Sequence, residues 1–475
     1  MEGVATILAF VVVTVAVTAA GAAAVVRRRE NTRDYLVASR AVPPWLAALS
    51  TVATNNSGFM FIGMIAATWR TGIDTVWMMV GWTIGDLVMW IWLLPRLRAR
   101  AGAMDAVTVT AVLSTGPEGP RRRLVVLASL LTMIFLGIYA AAQLKAGATA
   151  LNAIFGWHVG LGAGIGAAIV ILYSFAGGIR ADIWTDAAQS AVMAGAMLML
   201  LVAGWMEVGG PAALFAALDA QDPALLSLWP EDLAFGPLLF VLGFVAAGLG
   251  TLGQPHLMTR VIAMDHSRSV RAARWWYFGW MVPFWATCIA VGLYARAVLP
   301  ELESFSAPGV EEPTEFALPL MTAALLPEIF VGVALAGLFA ATVSTADSQI
   351  ILCSGVVTQD MVPGLKDSYL AAKAATLGVL ALALAIALWA PEGVFDLVLV
   401  AWSGLGATLG PVLAVRLLRL RLPDWCGVTM MLAGLATVLA WRQAGLSDDI
   451  FGILPGILAA FSARAVWLGA MRRRR

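Results

Sequence analysis

One polar stretch inside an apolar segment carries side chains suited to binding a cation. Ser344, Asp347 and Ser348 are three and four residues apart, so they share one helix face, and Thr345 adjoins them. Hydroxyl and carboxylate oxygens suit a hard cation. A membrane hydroxyl usually bonds to its own helix, whereas a carboxylate inside a span is costly. Asp347 is therefore a candidate functional residue, with an ion pair near the helix end as the alternative.

Three further charges lie in or beside apolar segments. Asp182 is expected at the cytoplasmic surface in a solvated pair with Arg180, and Asp186, about one turn deeper, is either a site residue or another edge charge. Lys145 either faces a site or extends its ammonium outward to the interface. His256 is expected to form hydrogen bonds at a helix end. The sequence has no Walker loop, no GxSxG and no catalytic metal pattern.

Two apolar segments contain unusual interruptions. One carries Asn55, Asn56 and Ser57, and the other is the Gly- and Pro-rich run 248–255, which includes Thr251 and Gln254. Unwound backbone at membrane depth is tolerated only where it is buried in protein or lines a wet cavity. Two such breaks, five spans apart, are typical of inverted repeats whose broken helices bind ions and substrate. The alternative is that the small residues merely ease helix packing.

The composition indicates the class of protein that these residues serve. Of 475 residues, 61% are hydrophobic and 12% are charged, against roughly 25% charged in a soluble domain. The net charge of +1 does not indicate a nucleic-acid partner. The three cysteines form no CxxC pair, so the sequence indicates neither a disulfide framework nor a zinc site. The chain is predicted to be an all-α polytopic membrane protein.

The apolar segments predict one transporter domain over 1–475 with about thirteen transmembrane helices. An extra N-terminal helix is expected at 5–26, a first repeat at 44–207, a second at 235–417 and C-terminal helices at 425–469. The predicted spans are 5–26, 44–68, 75–94, 124–150, 158–176, 183–207, 235–258, 274–297, 328–356, 369–390, 393–417, 425–441 and 450–469.

Basic residues then predict the orientation in the cell inner membrane. Arginines cluster in alternate loops, including 27–29, 96–100, 121–123, 260–274 and 416–421, and in 472–475, while the opposite loops are acidic or nearly uncharged. By the positive-inside rule the basic side is cytoplasmic. With an odd number of spans, the N-terminus lies outside and the C-terminus inside.

Several motifs together resemble the sodium:solute symporter family, and within it the sodium/proline branch. They are the GGxxAxxWTDxxQ stretch that ends at Gln189, the GQPH run that ends at His256 with Arg260 after it, and Ser344-Thr345 with Ser348-Gln349. The resemblance runs from about residue 35 to 420. It implies a LeuT-type fold of two inverted five-helix repeats.

The resemblance also implies the ligands. A sodium site between spans two and nine would use carbonyls of Ala53, Asn56 and Ala341 with the hydroxyls of Ser344 and Thr345. A possible second cation site would use Asp186, Asp347 and Ser348. Substrate contacts would fall on Asn55, Ser57, Tyr139, Lys145, Thr251 and Gln254. The branch has an acidic residue where Asn55 stands, and its span-seven aromatic residues fall on Ala247 and Thr251.

The predicted function is sodium-coupled symport of a small organic solute by alternating access. Sodium is the coupling ion, no other cofactor is expected, and the partners are the solute and the bilayer, with a monomer as the functional unit. Lys145 together with neutral Asn55 favours a small carboxylate over a zwitterion such as proline, which the branch suggests. A transporter-derived sensor, a proton-coupled or sodium-independent transporter and a membrane-embedded enzyme are the alternatives.

Overall fold

The computed structural model describes residues 3–25, 32–116, 119–230, 233–305, 312–365, 368–390 and 392–473. The basic cluster Arg27–Arg29 and the last two arginines therefore lie outside the described residues. The described chain is almost entirely helical, as its composition predicts, and its strands form a single two-residue hairpin, β1 (Thr115–Gly116) with β2 (Gly119–Pro120).

Among the described residues, the first half of the chain contains nine α-helices. They are α1 (Val4–Val25), α2 (Thr32–Val37), α3 (Pro44–Gly58), α4 (Met64–Thr71), α5 (Val76–Ala103), α6 (Val109–Ser114), α7 (Arg122–Phe155), α8 (Val159–Val208) and α9 (Pro211–Gln221). A π-helical turn, Phe59–Gly63, joins α3 to α4. Hairpin β1–β2 lies between α6 and α7.

The described part of the second half contains nine more α-helices. They are α10 (Gly236–Leu249), α11 (Pro255–Ala263), α12 (Ser267–Val298), α13 (Ala317–Leu325), α14 (Glu328–Gly355), α15 (Tyr369–Trp389), α16 (Val394–Leu417), α17 (Asp424–Gln443) and α18 (Ile453–Arg473). A 3-10 turn, Gly250–Gly253, lies between α10 and α11. Helix α14 is the centre of the fold, because it packs against α1, α3, α7 and α8.

Within the described residues, ten helical segments are long and apolar enough to cross a membrane. The first of them, 44–103, joins two predicted spans across a short 3-10 turn at Gly72–Thr75. Helix α8 covers two further predicted spans, which divide at Gly178, where φ is 58°. The number thirteen stays a prediction.

Both predicted interruptions are breaks in the helix backbone. At the end of α3, Ser57 has φ 45° and ψ −172°, a conformation that costs a non-glycine residue on the order of 1–3 kcal/mol. After α10 the chain passes through the 3-10 turn to Gln254, which is extended with φ −96° and ψ 94°. Pro255 then starts α11, where its missing N–H costs nothing.

Helices α5 and α10 approach so closely that glycine is required on both. A methyl group on Gly85 would lie 2.0 Å from the carbonyl oxygen of Val245, and one on Gly248 would lie 2.1 Å from that of Trp82. These neighbours are backbone atoms of the facing helix, so they cannot rotate away. The two helices are therefore interlocked along their length.

We expect Gly85→Ala and Gly248→Ala each to lower the stability of the folded protein. Overpacking a close-packed interface costs about 1–3 kcal/mol, and here the helices themselves must separate. Thermal unfolding of the purified protein in detergent measures the effect. Gly195→Ala is the matched control, because a methyl group there meets no atom within 4 Å. Equal unfolding temperatures for all three variants would contradict the interlock.

Candidate functional site

Asp186 of α8 lies at the centre of a buried polar cluster. Its side chain is fully buried, and one carboxylate oxygen accepts hydrogen bonds from Ser50 Oγ at 2.5 Å and from Thr54 Oγ1 at 3.3 Å. The other oxygen accepts a hydrogen bond from Ser344 Oγ of α14. Asp186 therefore joins α3, α8 and α14. Asp186 of the possible second cation site is thus in contact with Ser344 of the predicted sodium site.

A buried arginine completes this cluster. Arg260 of α11 is 0% exposed, and its Nη2 donates to Asp182 Oδ2 at 2.7 Å and to Asp186 Oδ2 at 2.9 Å. Nη2 also donates to Ser348 Oγ, and Nε donates to Ser50 Oγ at 2.9 Å. The charge-assisted hydrogen bonds to two carboxylates offset the desolvation of the guanidinium.

Two expectations from the sequence were wrong here. Asp182 is 3% exposed and pairs with Arg260, whereas Arg180 pairs with Asp34, with 2.6 Å between Nη2 and Oδ1. Arg260 is likewise a core residue and not a loop charge. The reason is that position along one helix does not tell which side chain of another helix lies opposite.

Three carboxylates lie in or beside the cluster. Asp182, Asp186 and Asp347 are each at most 3% exposed, and Asp347 interacts electrostatically with Asp182. Arg260 pairs with two of them, Asp182 and Asp186. Carboxylates held this close together in a buried site can share a cation or a proton.

The five predicted sodium ligands lie in the buried region where α3 faces α14. Ala53, Asn56, Ala341 and Thr345 are each 0% exposed, and Ser344 is 4% exposed. Thr345 Oγ1 donates to the Thr54 carbonyl at 3.4 Å, just before the break at Ser57. The structure thus brings Thr345 and the end of α3 together. The side chain of Asn56 is engaged elsewhere, since it accepts a hydrogen bond from Trp285 Nε1.

Beside the broken end of α3 lies a small aromatic cavity. Its volume is about 10 Å³, which is room for one water molecule. The described residues that line it are all uncharged: Asn55, Phe59, Met60, Met79, Trp82, Tyr139, Trp285, Val398 and Trp402. The hydroxyl oxygens of Ser57 and Tyr139 are 3.4 Å apart. An amino-acid-sized solute can enter only after these side chains move.

Four predicted substrate residues are not among the described residues that line this cavity. Ser57 reaches it through Tyr139, and Gln254 donates from Nε2 to the Trp402 carbonyl at 3.0 Å. Thr251 lies in the 3-10 turn of the second break. Lys145 lies at the α15–α16 connection, where its Nζ donates to the carbonyls of Ala390 at 3.1 Å and Glu392 at 2.8 Å.

The ammonium of Lys145 also lies near a buried carboxyl group outside the spans. Glu315 accepts a hydrogen bond from the Phe395 N–H at 3.1 Å. Burial raises the pKa of Glu315 to about 7, although Lys145 and the hydrogen bond act to lower it. Lys145 is therefore part of a connection between α7, the segment before α13 and the start of α16.

Sequence reasoning missed a second buried polar group. Asp86 of α5 is 0% exposed and accepts a hydrogen bond from the Tyr277 hydroxyl at 2.7 Å, and that hydroxyl accepts one from Asn55 Nδ2 at 2.7 Å. The signal was available, because Asp86 is an acidic residue in the apolar stretch 75–94. These two hydrogen bonds in series fix the amide of Asn55 at the cavity wall.

His256 differs from the prediction of a helix-end hydrogen bonder. Its ring is fully buried, and neither ring nitrogen has a hydrogen-bond partner among the described residues. The ring packs edge-on against Tyr139, with 5.4 Å between the centroids. His256 thus lies between the charged cluster and the aromatic cavity.

Comparison with known proteins shows the family of this chain. The model of the sodium:solute symporter family matches residues 35–434. An osmoregulated proline transporter of Bacillus subtilis is 28% identical over 447 residues, which are 92% of this chain and 89% of that protein. The sodium/proline symporter of Escherichia coli is 28% identical over 91% of this chain and 86% of its own.

Solved structures give the fold. A Na⁺-coupled sialic acid symporter in a substrate-bound outward-open state has a TM-score of 0.80 at 18% identity, with 98% of each chain covered. The transporter MhsT in complex with L-phenylalanine has a TM-score of 0.57 at 15% identity and covers 89% of this chain and 98% of its own. These confirm the LeuT-type fold.

The relatives are membrane transporters, which confirms the prediction of a symporter over that of an enzyme. The substrates in their names are those of the relatives alone. With a family match over 400 of 475 positions (35–434) and a LeuT-type fold, the chain belongs to the sodium:solute symporter family.

Proposed function

We propose that this symporter uses the sodium gradient to import a small zwitterion of the proline type. The observation that carries the proposal is the position of the uncharged aromatic cavity against the broken end of α3, with the α14 hydroxyls on the other side of that helix. Broken helices supply free carbonyls for a cation and free N–H groups for a carboxylate. Relatives that transport proline support the solute class.

The lining of the cavity favours a solute without net charge. Asn55 is neutral, and the aromatic faces of Trp82, Trp285 and Trp402 suit both an apolar ring and an ammonium group. A lone carboxylate would enter this cavity without a cation to pair with, at a high desolvation cost. Lys145 was the reason to expect a small carboxylate, and its ammonium is bonded to the carbonyls of Ala390 and Glu392.

Two cation sites are part of the proposal. The first uses the carbonyls of Ala53, Asn56 and Ala341 with Ser344 and Thr345, and the second uses Asp186, Asp347 and Ser348. The contact of Ser344 with Asp186 supports coupling between them, since one hydroxyl would serve both. A proton on Asp347 is the alternative to a second sodium ion, and the proximity of Asp347 to Asp182 supports either.

We further propose a bacterial plasma-membrane location, with the basic loops and the C-terminus in the cytoplasm, the N-terminus outside and one chain as the functional unit. The described arginines in the last turns of α5 and at the start of α12, against the acidic α12–α13 connection, support this orientation. The repeats are proposed to span 44–207 and 235–417.

The first test removes the two hydroxyl ligands. We expect Ser344→Ala with Thr345→Ala to raise the sodium concentration for half-maximal uptake about tenfold or more, because a hydrogen-bonding ligand to a charge contributes about 1.5–3 kcal/mol. Uptake of labelled proline into proteoliposomes at varied sodium measures this. Ser354→Ala is the control on the same helix, since among the described residues its hydroxyl donates to the Ala372 carbonyl and not to the predicted site. Unchanged sodium dependence of the double variant would refute the first site.

A second test separates sodium from a proton at the carboxylate pair. We expect Asp186→Asn and Asp347→Asn each to weaken sodium activation, and the double variant to differ from their sum by about 0.5–3 kcal/mol, since they share one cation. If Asp347 carries a proton instead, uptake depends on pH and Asp347→Asn removes that dependence. Additive effects without pH dependence would count against both versions.

A third test concerns the solute. We expect proline and alanine to compete for uptake, acetate, propionate and pyruvate to compete little, and Lys145→Met to keep the KM of the parent. Trp402→Leu is the comparison, because Trp402 lines the cavity and its loss should raise KM. Thermal unfolding checks that both variants fold. Competition by monocarboxylates alone, abolished in Lys145→Met, would overturn the zwitterion proposal and favour the small carboxylate.

A further inference from the structure

A second, larger cavity lies away from the proposed transport site. It is on the basic face, which we define as the side of the protein with the C-terminal ends of α5 and α16 and the start of α12, where arginines cluster. It has a volume of about 770 Å³ and lies between the C-terminal end of α5, strand β1 and the C-terminal end of α16. We call it the arginine cleft, because four of its lining residues are Arg96, Arg100, Arg416 and Arg419. None of the described residues that line it carries a carboxylate.

Arg416 is the deepest of the four and lacks a full set of partners. It is 5% exposed, and its Nε donates to the Leu113 carbonyl at 3.0 Å, whereas the buried Nη2 has no hydrogen-bond partner among the described residues. Arg100 and Arg121 repel it, and Asp424 is the carboxylate that attracts it. Asp424 is shared with Arg123, at 3.8 Å. Burying a guanidinium nitrogen without a hydrogen-bond acceptor costs free energy of folding, and a bound anion would remove that cost.

The remaining arginines are held around the cleft by the backbone. Arg100 donates from Nη1 to the Arg416 carbonyl at 3.4 Å and from Nη2 to the Thr115 carbonyl at 2.9 Å. Arg419 adopts φ 56°, a left-handed conformation that is unusual for a residue other than glycine, and lies exposed at the cleft. Four positive charges are thus concentrated on one cavity instead of being spread over the surface.

The walls of the cleft indicate where its anion comes from. Met104 and Leu420 also line it, and Leu420 is 47% exposed. Beside it, the Arg96 guanidinium lies over the ring of Trp92, which is 45% exposed, as a tryptophan at a membrane interface commonly is. A basic pocket with apolar walls, next to a tryptophan of this kind, suits a phosphate group attached to an acyl chain.

We propose that the arginine cleft binds a phosphate-bearing anion, and that the source is the headgroup of an anionic phospholipid. The phosphate would accept hydrogen bonds from Arg416 Nη2 and from the arginines at the mouth, Arg96 and Arg419. Its acyl chains would follow the apolar wall at Leu420. Because the site joins α5 to α16, a bound headgroup stabilises the contact between these two helices on the basic face.

The test uses the purified full-length protein with three ligands: phosphatidylglycerol, zwitterionic phosphatidylcholine and inorganic phosphate. We expect phosphatidylglycerol to be retained selectively in native mass spectrometry and to raise the unfolding temperature above that with phosphatidylcholine. In Arg96→Gln with Arg419→Gln the selectivity should fall about fivefold for each arginine removed, since one basic residue near an anionic lipid surface contributes about that factor. Both residues are exposed, so the double variant should fold even if Arg416→Gln does not.

Arg268→Gln with Arg271→Gln is the matched control, because it removes two exposed arginines from the same face at the start of α12. Selectivity lost in the cleft variant and kept in this control supports the proposal. If inorganic phosphate protects with the same dependence on Arg96 and Arg419, and phosphatidylglycerol adds nothing, the anion site stands and its ligand is free phosphate. Equal loss in both double variants, or no preference among the three ligands, overturns the site.

Discussion

The buried guanidinium of Arg260 is the constraint on which the core of the protein depends. It is fully buried, and it can remain charged there only because Asp182 and Asp186 of α8 face it within hydrogen-bond distance. Removing one partner of a buried pair costs about 3–5 kcal/mol, since the other charge is then left in an apolar medium. The mutual position of α8 and α11 is fixed by this requirement, and Ser50 and Ser348 extend it to α3 and α14.

The same cluster connects the proposed cation sites to the aromatic cavity. Ser344 touches Asp186, Thr345 touches the end of α3, and the break at Ser57 then leads directly to Tyr139 and the aromatic lining. His256, one helical turn before Arg260, packs on the other side of Tyr139. A change of charge in the cluster can therefore alter the positions of the side chains that line the aromatic cavity, because the two are joined by side chains in contact. The small volume of the cavity describes a closed conformation.

The fold was largely predictable, and the partners of individual charges were not. Long apolar segments have one solution in a bilayer, and the breaks at Ser57 and Gln254 were predictable because Asn, Gly and Pro interrupt those segments. Asp182 was misplaced and Asp86 overlooked, since hydropathy gives a residue's depth along its own helix and says nothing of the facing one. Lys145 shows the same limit: its depth was compatible with the cavity, but its side chain points to the Ala390 carbonyl.

The interlock of Gly85 with Gly248 has a consequence for movement. Where the backbones of two helices touch, sliding or rotation drives backbone atoms against each other, so we expect α5 and α10 to move together in a conformational cycle. We then expect bending where the backbone lacks regular hydrogen bonds, and one such place is the turn that ends at Gln254. Helix α11, which carries Arg260, would follow from that hinge. The close contact of Gly85 with Gly248 would therefore confine bending to the peptide units between Gly250 and Gln254.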